Sequence, residues 1–176
     1  MTHPIFVVGP QRSGTRIAAH IIAKLSNRLF VDELDYNPDI PLNTVIQAPF
    51  LLKSALEVSY LFPTAEFAFM YRDPIDIVNS MKRIEWYNDY ITNPDFYKAY
   101  VDHCYEYIDL LKVTLPSNKW FDIQYDTLMN DPLFITDRSD FTCKQHLKDT
   151  PNGPTTWRND NYINETMPQM RRAEIS

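Results

Sequence analysis

Arg12, Ser13 and Thr15 sit in "GPQRSGTR", residues 9–16, directly after the apolar run "IFVV". A strand that breaks at a glycine and resumes as a helix leaves backbone N–H groups aimed at an anion. Gly9 and Gly14 let the backbone turn tightly and approach a ligand. N–H groups from Ser13, Gly14, Thr15 and Arg16 would face a phosphate at the positive helix end, with the Thr15 hydroxyl and the Arg12 fork beside them. No G-K-[ST] is present, so this is not the common nucleotide loop. A second group lies in "YRDPIDIVNS", where Arg72 leaves an apolar run and Ser80 follows two turns into a helix, with Lys82 and Arg83 nearby. Arg72 and Ser80 can grip one phosphate from two elements. A third group, "VDELD", offers Asp32, Glu33 and Asp35 as carboxylates able to take a proton. Taken singly, these stretches read equally well as a strand–turn–helix, a capped helix and a solvated acidic loop.

The surrounding pattern supplies elements to hold them. Ile5–Gly9 reads as a short buried strand, and Thr15–Leu25 as a helix with Ile17, Ala18, Ile21, Ile22 and Leu25 at helical spacing. "RLFVDE" is a second strand, followed by a proline-punctuated loop, "DYNPDIPLNTVIQAP". Pro49 opens a helix, "AEFAFMYR" is a third strand, and Asp73 caps a helix with Pro74 at its first position. Asp95–Leu115 is a long Tyr-rich amphipathic helix, whose tyrosines read as packing, and "KWFDIQY" a fourth strand. From Asp131 the chain is polar and irregular, with a short helix around "NETMPQMRR" broken at Pro168. Alternating strands and helices predict an α/β fold, a parallel sheet flanked by helices. Ligands in such sheets sit at the carboxyl ends of the strands, where "GPQRSGT" and "RDP" both fall.

The chain has 176 residues, 44% hydrophobic and 14% aromatic, which suits one domain over 1–176. A net charge of −6 argues against nucleic-acid partners. No apolar run is long enough for a membrane span or a secretory segment. Two cysteines, Cys104 and Cys143, read as free thiols in a reducing compartment, which places the protein in the cytoplasm. His3, His20, His103 and His146 lack metal-ligand spacing and there is no CxxC, so no metal is expected; His20 reads as structural.

Together the motifs are specific. "RSGT" after the first strand, then R-x-P with a serine eight residues beyond the arginine, resembles the sulfotransferases that use 3′-phosphoadenosine 5′-phosphosulfate (PAPS). "IQYDTLMNDP", residues 123–132, is similar to their Tyr-(Glu/Asp)-x-Leu-x-x-x-Pro segment. Within the family the resemblance is closest to tyrosylprotein sulfotransferases, through residues 48–81 and, at the C-terminal end, "PTTWRNDNYINETMPQM". The resemblance implies a P-loop-like sulfotransferase fold and sulfuryl transfer from PAPS to a hydroxyl acceptor, a tyrosine or a small molecule, without a metal. It implies that Arg12, Ser13, Gly14, Thr15 and Arg16 hold the 5′ end and that Arg72 and Ser80 hold the 3′-phosphate. Tyr125 would contact the nucleoside and Thr155 a phosphate or sulfonyl oxygen. Glu33 falls on the family's catalytic base, with Asp32 and Asp35 as rivals, and Arg12 would neutralise charge on the transferring group.

The departures are equally specific. The family's lysine before "DPF" falls on Gln47, and its aspartate on Ala48. Charge for that position would come from Arg12, Arg16, Lys53 or Arg158. The membrane anchor and disulfides of the tyrosylprotein enzymes are not expected in this chain. Two alternatives stay open: a weak or inactive nucleotide-binding protein of the same fold, favoured by Gln47, and a small-molecule kinase. The oligomeric state and the acceptor are not legible.

Overall fold

The structure, a computed structural model, describes residues 3–33, 39, 41–84 and 94–131. Its centre is two strands that are buried almost throughout, β1 (Ile5–Val8) and β4 (Glu66–Tyr71). Such continuous apolar runs mark strands covered on both faces. Around them stand β2 (Leu29–Asp32), β3 (Thr44–Gln47) and β5 (Trp120–Gln124). The order is β2-β3-β1-β4-β5, every pair parallel. This is the α/β architecture expected from the sequence, with five strands among the described residues rather than four.

The added strand corrects the reading of residues 35–49 as one loop. Thr44–Gln47 pairs with β1 on one side and β2 on the other, and all four residues are buried. Four residues between Pro41 and Pro49 are too few to show a period. Their β-branched "TVI" is what the sheet uses. The helix expected at Pro49 starts as a 3₁₀ turn, Pro49–Ser54, before α2 (Ala55–Leu61).

Helices cover both faces. α1 (Thr15–Leu25) lays Ala18, Ala19, Ile22 and Leu25 on Ile5, Val7, Val45, Ala68 and Met70. On the other face Phe6, Val8, Ile46, Phe67 and Phe69 pack against α2 and α4 (Pro94–Thr114). α3 (Pro74–Arg83) joins α4 through Ile77, Met81, Tyr97 and Val101. Asp73 caps α3 as expected, accepting from the Ile75 N–H at 2.7 Å. His20 stacks on Phe30 with ring centroids 3.7 Å apart, and burial with Arg16 nearby lowers its pKa, which fits its structural reading. Cys104 is free and buried. Among the described residues no helix is long and apolar enough to cross a membrane. Cys143, Thr155, Arg158 and the helix expected near Pro168 lie outside the described residues.

Candidate functional site

β1 and β4 are neighbours in register, Val8 against Phe69, so the loops that follow them emerge side by side. Gly9 is required there: a Cβ on it would stand 2.9 Å from Met70 Cβ and 3.1 Å from Ser13 Oγ. The chain then folds back, the Ser13 N–H donating to the Pro10 carbonyl at 3.1 Å. Arg12 holds φ 69°, a conformation that costs a non-glycine residue of the order of 1–3 kcal/mol and tends to persist at functional sites. Gly14 follows at φ 98°. Its missing side chain admits the Tyr125 ring, whose Cδ2 lies 2.6 Å from where a Cβ would be. Tyr125 is the first residue of α5 (Tyr125–Asn130), an element not foreseen in the sequence.

The two expected anion motifs meet. Arg12 Nε donates to Ser80 Oγ at 3.2 Å, and Ser80 is buried. Arg72 Nη1 donates to the Arg12 carbonyl at 3.2 Å, while its guanidinium lies 4.3 Å above the Tyr125 ring. Asp76, one turn into α3, stands 3.8 Å from Arg72 Nη2. The structure therefore gathers Arg12, Ser13, Gly14, Arg72, Ser80 and Tyr125 around one turn, with Thr15 buried at the start of α1. Arg16 is turned toward the second strand, its Nη1 3.6 Å from Asp32 Oδ2. Lys82 and Arg83 are exposed in the last turn of α3.

The donors suit an anion. Ser13 Oγ, Arg16 Nε and Arg72 Nε are buried without a hydrogen-bond partner. Buried polar atoms are normally paired, and these three lie in or beside the loop. α1 has no side-chain cap and no acid in its first turn, whereas α3 is closed by Asp73 and carries Asp76. Of these two helix starts, the first keeps its positive end open.

A carboxylate stands further along the same edge, after β2, with β3 between it and β1. Glu33 follows β2 and its Oε2 accepts the Phe50 N–H at 2.9 Å, so the 3₁₀ turn fixes it. Burial raises its pKa; the Phe50 N–H opposes the shift, Asp32 adds to it, and Gln11 opposes it. Asp32 faces Arg16 instead. Asp35 lies outside the described residues. Gln47 is buried at the end of β3, in register between Val7 and Asp32, and Ala48 is buried beside it. Lys53 is exposed.

Residues that sequence reasoning missed come from α4 and the 3₁₀ turn. Tyr100, Tyr105 and Phe50 each hold a backbone or side-chain group of the site. Their partners are far along the chain, and no local pattern marks them.

A sulfotransferase family model matches residues 19–138, about two thirds of the chain. The chain belongs to the sulfotransferase family. The match contains Glu33, Arg72, Ser80 and Tyr125 and begins inside α1, so the loop before it stands on its own geometry. No curated protein matches the chain.

Proposed function

We propose that the protein moves a sulfuryl group from PAPS to a hydroxyl acceptor. The observation that carries this reading is the meeting of Arg12, Arg72 and Ser80 around buried, unpartnered donors at the edge where β1 and β4 end. In this reading Ser13, Gly14, Thr15 and Arg16 hold the 5′ end, and Arg72 and Ser80 the 3′-phosphate. Tyr125 lies against the nucleoside and Thr155 near a phosphate or sulfonyl oxygen. Glu33 takes the proton of the acceptor hydroxyl as that oxygen bonds to sulfur. The sulfur's bond to the 5′-phosphate oxygen breaks, and the electron pair leaves with 3′-phosphoadenosine 5′-phosphate. Arg12 and the loop amides meet the charge that grows there, a preorganised electrostatic role that asks for no metal.

The similarity of residues 48–81 to tyrosylprotein sulfotransferases supports a tyrosine as one candidate acceptor beside hydroxyl-bearing small molecules. The buried free Cys104 fits work in the reducing cytoplasm. Gln47, where the family's lysine falls, supports a second reading of slow or absent turnover.

A ligand that binds only the folded state raises the melting temperature by mass action. 3′-Phosphoadenosine 5′-phosphate is expected to raise it well above the shift given by ATP with magnesium. A larger shift with ATP overturns the reading in favour of a kinase. Labelled PAPS and a panel of phenols then measure transfer; binding without transfer leaves the slow or inactive reading.

A further inference from the structure

The Tyr-rich helix α4 touches the site at two separate points. Tyr100 Oη accepts the Gln11 N–H at 3.1 Å, just before the strained Arg12. Tyr105 Oη accepts the Arg72 N–H at 3.0 Å and donates to the Arg72 carbonyl at 2.7 Å. Arg72 is the first residue past β4, whose pairing with β5 ends at Tyr71 and Gln124. One hydroxyl thus satisfies both backbone groups of the residue that leaves the sheet, and it fixes the direction in which the Arg72 side chain departs. The Tyr105 ring is held by stacking on Tyr71, centroids 5.3 Å apart. Burial pushes the Tyr105 hydroxyl up to about 12, so it remains a donor at any working pH.

We propose that Tyr100 and Tyr105 are positioning residues that each brace a different part of the nucleotide site, Tyr100 the 5′ loop through Gln11 and Tyr105 the 3′-phosphate grip through Arg72. The inference rests on the nucleotide reading above. Its physical basis is that the two hydroxyls hold backbone in different motifs, one after β1 and one after β4. Each motif meets a different end of the nucleotide.

Tyr→Phe at each position keeps the ring and removes only the hydroxyl. Calorimetric titration with 3′-phosphoadenosine 5′-phosphate and with AMP, which lacks the 3′-phosphate, separates the two ends. Tyr105→Phe removes both hydrogen bonds to the Arg72 backbone; it is expected to weaken the 3′-phosphorylated nucleotide about tenfold, the scale of one hydrogen bond misaligned in the Arg72 grip, and to leave AMP unchanged. Tyr100→Phe should weaken both nucleotides alike and preserve their ratio. In an Arg72→Ala background Tyr105→Phe should cost no further affinity, because its effect runs through that side chain. Amide exchange gives a readout without ligand: the Arg72 N–H should exchange faster in Tyr105→Phe, and the Gln11 N–H in Tyr100→Phe. Equal weakening of both nucleotides by Tyr105→Phe, or an undiminished loss in the Arg72→Ala background, overturns the proposal. Wild-type protein that binds AMP as tightly as the 3′-phosphorylated nucleotide overturns the underlying reading instead.

Discussion

The carboxyl edge of the sheet has two halves built on different terms. Where β1 and β4 end, strands that are buried almost throughout project loops that bond to each other through Arg12, Arg72 and Ser80, with α4 bracing both from behind. Where β2 and β3 end, the strands differ: β2 is half exposed, and Glu33 accepts the Phe50 N–H with the Gln11 side chain beside it. The first half is held redundantly, as the proposed nucleotide site would require. The second has Glu33 poised by burial with Asp32 next to it, and Phe50 beside it is 56% exposed. Changes in the two halves should therefore separate binding from turnover.

The sharpest separation is expected from Glu33→Gln. The substitution keeps an oxygen for the Phe50 N–H and removes the carboxylate proposed as base. Nucleotide affinity should hold while turnover falls by about 10²–10⁴-fold, the range for loss of a general acid–base group. Stability should move the other way. A carboxyl whose folded pKa is raised binds more protons folded than unfolded, so its ionisation weakens the fold as pH rises through that window. At neutral pH the glutamine variant should melt slightly higher than wild type. In wild type, activity should fall as pH drops through the raised Glu33 value, with a midpoint above that of an ordinary carboxylate. Retained turnover in Glu33→Gln would pass the role to Asp32 or Asp35.

Gly14→Ala tests the opposite half through its backbone. At φ 98° an alanine is strained by roughly 1–2 kcal/mol. Its methyl would stand 2.6 Å from Tyr125 Cδ2, so the ring must move and its stack with Arg72 must break. Overpacking of this kind costs about 1–3 kcal/mol more. Thermal denaturation should show a melting point lower by roughly 5–15 °C. An unchanged melting point would mean that Tyr125 does not rest on the loop.

The placing of the motifs after β1 and β4 was legible because their signals are local. Two glycines, an Arg-Ser-Gly-Thr run and an Asp-Pro helix start each act within a few residues, and α1 begins and ends where its periodicity says. Glu33 was singled out from Asp32 and Asp35 by resemblance, since neighbouring acids in "VDELD" look alike. β3 was hidden because its burial comes from the strands on either side, not from its own pattern. Tyr100 and Tyr105 were read as packing, because their hydrogen bonds span 89 and 33 residues and no spacing rule reaches that far.

Arg72→Ala asks how far the nucleotide half depends on one side chain. Truncating one partner of a buried charge pair typically costs about 2–5 kcal/mol. Arg72 keeps a fifth of its side-chain exposure and has Asp76 nearby at 3.8 Å, so the lower end, about 2–3 kcal/mol in nucleotide affinity, is expected. Folding should persist, because the Arg72 backbone stays bound by Tyr105. Calorimetry that finds wild-type affinity would remove Arg72 from the site.

Gln47→Lys should give the smallest effect, and it joins the two halves. Gln47 lies on the α1 face of the sheet, in register with Asp32, and is 8% exposed. A lysine here would arrive beside a carboxylate that already faces Arg16 at 3.6 Å. Part of its charge would be spent on Asp32, and Arg16 would be loosened from its present partner. A charge-assisted hydrogen bond is about twice as strong as a neutral one, so a free ammonium near the departing oxygen would raise the rate about tenfold. Sharing with Asp32 reduces that, and a gain of about two- to fivefold in turnover is expected, with nucleotide affinity unchanged. A gain of the full tenfold would show that Asp32 leaves the lysine free. No gain would mean that Arg12 or Arg16 already supplies the charge, so that the loop after β1 serves the chemistry as well as the binding.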